Sequence, residues 1–158
     1  MKAIILYMSN HGTTEKVVQK LNSIIGYNKC KIVNLGEDTP PPLDEFDTVI
    51  IGGSIHKGII QKDVQAYCQE NLTELLSKRV GLFICFMDHN HYQEEFNNSF
   101  PNELIEHAIV EGKFGGEFIF EKMNIFEKLT VRFLKNQKES ISRINYQAIN
   151  HFAIMIAG

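Results

Sequence analysis

The chain has 158 residues, 44% of them hydrophobic and 22% charged, the proportions of one globular domain able to bury about two thirds of its unfolded surface. Its net charge of -3 offers no basic field for nucleic acid, and no apolar run approaches the length of a membrane span. Cys30, Cys68 and Cys85 are scattered and form no Cys-x-x-Cys, and the first residues lack the order of a secretion signal, so a cytoplasmic protein with reduced thiols is expected.

In chain order, Ala3-Ile4-Ile5-Leu6-Tyr7-Met8 is an unbroken apolar run, the pattern of a strand buried on both faces of a parallel sheet. Ser9-Asn10-His11-Gly12-Thr13-Thr14 follows. Val17, Val18, Leu21, Ile24 and Ile25 then form one stripe of a helix that stops at Gly26. Cys30 to Leu35 reads as a short alternating strand, and Pro40-Pro41-Pro42 makes the link from Gly36 to Phe46 irregular. Asp47 to Gly52 is a third strand, Lys62 to Ser77 a helix, and Val80 to Phe86 a fourth strand. Pro101 suits a helix start, with Leu104, Ile105, Ala108 and Ile109 as its buried stripe before Gly112. Phe114 to Phe120 reads as the fifth strand, and a helix from about Asn145 closes the chain through Tyr146, Ile149, Phe152, Ala153 and Ile156. The alternation predicts an α/β domain over 1–158, a five-stranded parallel sheet with helices on both faces.

The hydroxyl-rich loop between the first strand and the first helix carries the clearest chemistry. Open amides at a helix start, with its dipole, favour an anion. Ser9, Thr13 and Thr14 add hydroxyls, Asn10 an amide, and Gly12 lets backbone approach closely; the same residues would also serve an ordinary strand-to-helix turn with Thr caps. No Lys follows a glycine pair, and no Gly-x-Gly-x-x-Gly is present. In this the loop resembles that of the flavodoxins, which holds the FMN phosphate on Ser and Thr around one glycine without Lys or Arg. It departs at His11, where those proteins usually carry Thr: the imidazole either donates to the phosphate or points into solvent. The resemblance implies a flavodoxin-like three-layer fold with strand order 2-1-3-4-5 and FMN at the carboxyl ends of the strands.

Gly52-Gly53-Ser54-Ile55-His56-Lys57-Gly58 follows the third strand, and its glycines would let a planar ring lie against backbone. From Asp47 through Gly58 the chain is similar to the flavodoxin-type, menaquinone-dependent protoporphyrinogen oxidases, a resemblance that extends over nearly its whole length. Carried over residue by residue, Ser9, His11, Gly12, Thr13 and Thr14 are expected at the phosphate, and Gly53, Ser54, Ile55 and Gly58 at the ring. Asn10 and His56 join them as candidates from the same loops, His56 either tuning the flavin by its charge or lying on the surface. The loop after the fourth strand offers Met87, Asp88 and Tyr92, the last as an aromatic to stack on the flavin. Its Asp-His-x-His spacing could suggest a metal site, but two His within one loop without further placed ligands are more often solvated.

Residues 121–138 hold five Lys or Arg against two Glu, net +3, with an apolar stripe of Phe126, Leu129, Phe133 and Leu134. This is either a surface helix on the sheet edge or a basic amphipathic face for a quinone, a porphyrin or the inner membrane surface. A receiver domain of the same strand order is excluded, because Tyr7-Met8-Ser9 and Ile51-Gly52-Gly53 supply no carboxylate. The resemblance then implies an FMN-dependent oxidoreductase passing electrons from a reduced substrate, such as protoporphyrinogen, or from a donor protein, to a quinone. The alternatives are a one-electron carrier and a module that has lost FMN. No catalytic acid or base stands out.

Overall fold

The computed structural model describes residues 1–87, 90–118 and 141–158. The stretch from 121 to 138, and Asp88, therefore lie outside the described residues. Strands β1 (Ala3–Met8), β2 (Cys30–Asn34), β3 (Thr48–His56), β5 (Arg79–Cys85) and β6 (Val110–Lys113) form one parallel sheet in the order β2-β1-β3-β5-β6. Counting those five alone, this is the expected order 2-1-3-4-5. The short β4 (Ile59–Ile60) returns antiparallel against the end of β3.

Alternation along the strands divides the apolar residues between two cores. Ile4, Leu6, Val49, Ile51, Leu82 and Ile84 face one side, under Val64 and Cys68 of α2 (Lys62–Glu70), Leu75 of α3 (Leu72–Leu75), Phe96 of α4 (Tyr92–Ser99) and Leu104 of α5 (Asn102–His107). Ala3, Ile5, Tyr7, Ile50, Phe83 and Cys85 face the other. There they meet Val17, Val18, Leu21 and Ile25 of α1 (Thr13–Ile25) and Ile149, Phe152, Ala153 and Ile156 of α6 (Tyr146–Ala157). The stripe read for α1 is thus its buried face, apart from the half-exposed Ile24, and Gly26 ends it at φ 110° with its amide on Asn22 O. Asn145 caps α6 by accepting from the Ala148 amide at 2.9 Å. Each fully buried Leu, Ile or Phe contributes roughly 1.5–3 kcal/mol from the area removed from water.

Three elements differ from expectation. The fifth strand of the sheet is Val110–Lys113 and not Phe114 to Phe120. Within the latter span, Phe114 turns into the core between Phe83 and Phe152, and Glu117–Phe118 (β7) pairs antiparallel with Ile141–Ser142 (β8). The helix behind Pro101 is correspondingly shorter, because Ile109 gives its amide to Val80 O and joins the sheet. The helix expected over 62–77 breaks at Asn71, whose side chain donates to Tyr67 O.

Candidate functional site

Met8 pairs with Gly53 in the β1–β3 register, so the loops leaving these strands share one rim at the carboxyl ends. The first loop turns on Gly12, at φ 87° and ψ -6°, a left-handed conformation that glycine adopts without the cost a Cβ imposes. The Gly12 amide donates to Ser9 Oγ at 3.0 Å and closes the turn. No side chain caps α1. The first amides of the helix thus have no intrahelical acceptor and carry the positive end of its dipole.

Thr13 and Thr14 are buried behind this loop. The Thr14 hydroxyl makes no well-formed hydrogen bond, although it approaches the Cys85 thiol. Burial pushes that thiol up to about 12, and the approach of Thr14 pulls the other way. A buried hydroxyl left short of an acceptor costs about 1–3 kcal/mol, which an anion seated at the helix start would recover. Lys16, one turn into α1, gives its ammonium to Glu117 at 2.7 Å, and the Glu117 side chain is 9% exposed. The arrangement is therefore one of amides and hydroxyls, suited to a phosphate.

The second loop is a continuation of β3. His56 still pairs with Ile59, and Lys57 (φ 53°) and Gly58 (φ 81°) form a two-residue turn with both φ positive, the geometry that matches the twist of a hairpin. Gly58 has open space where a Cβ would stand, and it is the glycine of this loop that a ring can approach. Gly52 and Gly53 do other work. A Cβ at Gly52 would stand 2.5 Å from the Phe83 ring, and one at Gly53 would overlap Gln61 Oε1 and press on Ile60.

The two loops are joined. Asn10 Nδ2 lies at hydrogen-bond distance from His56 Nε2, 3.0 Å. Ser54 Oγ lies 3.4 Å from the same nitrogen, and the His11 and His56 rings meet edge to face at 6.0 Å. Gln61, which the sequence reading did not single out, links them further. Its Nε2 donates to Ser54 Oγ (2.7 Å) and to Met8 O (3.3 Å), while its Oε1 accepts from the Ser54 amide (3.0 Å).

Of the expected site residues, the structure gathers Ser9, Asn10, His11, Gly12, Ser54, His56 and Gly58 on the rim, with Thr13 and Thr14 behind it. Ile55 is instead packed partly against the α2–α5 core. Met87 sits against Gly116. Tyr92 stacks on Phe86 (centroids 5.5 Å, planes 28° apart), with Lys113 Nζ 5.4 Å from its ring centre, so its ring already has partners. Among the described residues no group of three or more His, Cys, Asp or Glu is placed to hold a metal ion. No described helix is long and apolar enough to cross a membrane.

The chain matches the family described as flavodoxin domain over residues 4–144. No curated protein matches it. Among solved structures it is similar to a flavodoxin of Streptococcus pneumoniae TIGR4, with a TM-score of 0.61 at 11% identity, covering 99% of this chain and 98% of that one. It is also similar to a flavodoxin from the domain Archaea, at 0.56 and 14% identity, covering 99% and 96%. A third match is the rubredoxin oxygen:oxidoreductase of Desulfovibrio gigas, at 0.54 and 16% identity; there 99% of this chain spans only 35% of the longer protein. At these identities the likeness is one of fold.

Proposed function

The chain belongs to the flavodoxin domain family and is an FMN-binding redox protein; from that premise we propose that it is an oxidoreductase, taking electrons from a reduced substrate such as protoporphyrinogen and delivering them to a quinone. The residues present fit FMN. The observation that carries the reading is the joined rim, where an uncapped helix start with the unsatisfied Thr14 hydroxyl lies beside an open glycine hairpin. The first-turn amides of α1 with Ser9, Thr13 and Thr14 would hold the phosphate, and Ser54 to Gly58 would flank the ring. Bound FMN supplies one- and two-electron redox chemistry at neutral pH. The protein's part is to seat the group and to set the polarity around it, and His11 and His56 are the titratable side chains nearest the junction of the loops.

Two features support the quinone-linked form of this reading. Residues 47–58 resemble the menaquinone-dependent enzymes, and residues 121–138 carry net +3 beside an apolar stripe, which suits an anionic porphyrin or an anionic membrane surface holding the quinone. A one-electron carrier is the second reading. It is favoured by the composition of the rim, whose named residues include no carboxylate to move a proton.

The test is anaerobic oxidation of protoporphyrinogen by the FMN-loaded protein with a menaquinone analogue. Quinone-dependent turnover is expected, and it should be lost when 121–138 is removed while FMN stays bound. Reversible flavin reduction without turnover would make the protein a carrier, and a visible spectrum unchanged by added FMN would overturn both readings.

A further inference from the structure

Gln61 occupies a position that the chemistry of either loop alone does not explain. It precedes the first turn of α2 at φ -55° and ψ 142°, yet its side chain does not cap that helix. The amide turns back to the rim, where it engages the last carbonyl of β1 and both the amide and the hydroxyl of Ser54. Its Nε2 also lies 3.5 Å from Asn10 Oδ1, and Asn10 in turn reaches His56. One planar group thus touches the end of β1, the phosphate-side loop and the start of the hairpin. The room for it comes from Gly53, where any Cβ would overlap Gln61 Oε1 although the backbone there has no positive φ that would itself require glycine.

We propose that Gln61 is a positioning residue, a clamp that fixes the separation between the phosphate loop and the ring hairpin and so selects a ligand that engages both at once. The inference rests on the FMN reading. A flavin bearing a terminal phosphate bridges the two loops, and holding them at one spacing raises the effective concentration of the second contact once the first is made. Riboflavin meets only the hairpin and gains nothing from the spacing. The clamp also acts in the protein without ligand, because the Ser54 amide is protected from solvent through Gln61 Oε1.

The test compares the full-length protein with Gln61→Ala, Gln61→Glu and, as a control on the same helix, Gln65→Ala, whose side chain donates to Asn98 O. In the ligand-free Gln61→Ala protein, the Ser54 amide should exchange hydrogen at least about tenfold faster while the amides of β1 and β5 keep their protection. FMN affinity should fall about 10- to 100-fold, the worth of two or three hydrogen bonds, with riboflavin affinity nearly unchanged. Gln61→Glu keeps an acceptor for Ser54 but has no donor for Met8 O, and should fall between the two. Unchanged Ser54 exchange together with unchanged FMN affinity would overturn the clamp. So would equal losses for FMN and riboflavin, which would mark a ring-side contact, or a general loss of protection with a lowered Tm, which would mark a structural role. If the unmodified protein binds neither flavin, the FMN reading falls, and Ser54 exchange still decides whether the loops are clamped.

Discussion

Residues 9–14 leave β1 through a left-handed glycine and open directly onto a helix start, whereas residues 54–58 prolong β3 beyond the sheet and fold back as a hairpin. The first loop is defined by what it leaves unsatisfied: uncapped amides and a Thr14 hydroxyl with no proper acceptor. The second is satisfied within the protein, since Gln61 takes both the amide and the hydroxyl of Ser54 and β4 pairs with its outer edge. Binding free energy should therefore come mainly from the phosphate side, and shape from the hairpin. On the proposed reading, two neighbouring loops, each rich in small and polar residues, would divide the recognition of one ligand between them.

The largest effect follows from that division. Isothermal titration should find FMN bound at least about 100-fold more tightly than riboflavin, because several hydrogen bonds to a charged phosphate are each worth about 1.5–3 kcal/mol. Thr14→Val is nearly isosteric and removes one of these donors. It should cost about 1–3 kcal/mol of FMN affinity and leave riboflavin unchanged. Equal affinities for the two flavins would show that the helix start is only a strand-to-helix turn.

Much of this arrangement is legible in the sequence, for physical reasons that also mark where legibility stops. β1, α1 and α6 can be read because each is buried along a continuous run or stripe, and burial is what periodicity reports. β6 cannot. Val110-Glu111-Gly112-Lys113 is an edge strand in which Lys113 pairs with Glu111, and the apolar Ala108 and Ile109 before it continue a helical stripe until the pairing of Ile109 with Val80 overrides it. Phe114 reads as strand because it is apolar, but its ring fills the gap between Phe83 and Phe152. The glycine pair before the hairpin signals close approach correctly and its object wrongly: Gly52 makes room for Phe83, and Gly53 for Gln61. Gln61 leaves no periodic or motif signal, since one polar residue between a strand and a helix is ordinary. Tyr92, expected as a flavin-stacking aromatic, has Phe86 against one face, a pairing that no sequence pattern signals.

The two glycines of the hairpin region give a sharper comparison. Gly58→Ala meets no neighbouring protein atom but must hold φ at 81°, so it should lower stability by about 1–2 kcal/mol, and because its methyl stands where the ring would approach, FMN affinity should fall as well. Gly53→Ala meets no such backbone strain and should instead displace the flexible end of Gln61. Its cost should appear as weaker FMN binding with a smaller change in Tm. Thermal unfolding of both variants would show the contrast, with the larger fall in Tm at Gly58, and equal falls in Tm would erase the distinction between a glycine needed for its turn and one needed for its neighbour.

The smallest effect concerns the buried thiols of the two cores. Cys30, Cys68 and Cys85 are buried, and burial raises each thiol from the ordinary value of 9.0 to about 12. The unfolded chain therefore begins to lose these protons near pH 9 while the folded chain keeps them, so stability is full below that pH and declines between about 9 and 12. Tyr67, raised from 10.0 to about 12 by burial first and by Glu74 second, adds to the decline at its upper end. Tm should stay flat from neutral pH to just below 9 and then fall, with thiolate absorbance appearing only as the protein unfolds. Removing the Thr14 hydroxyl takes away the one influence that pulls Cys85 down, so Thr14→Val should leave that plateau in place while it weakens FMN binding. A fall in Tm beginning near about pH 7 would mean that one of these thiols ionises in the folded protein, which burial against apolar side chains opposes.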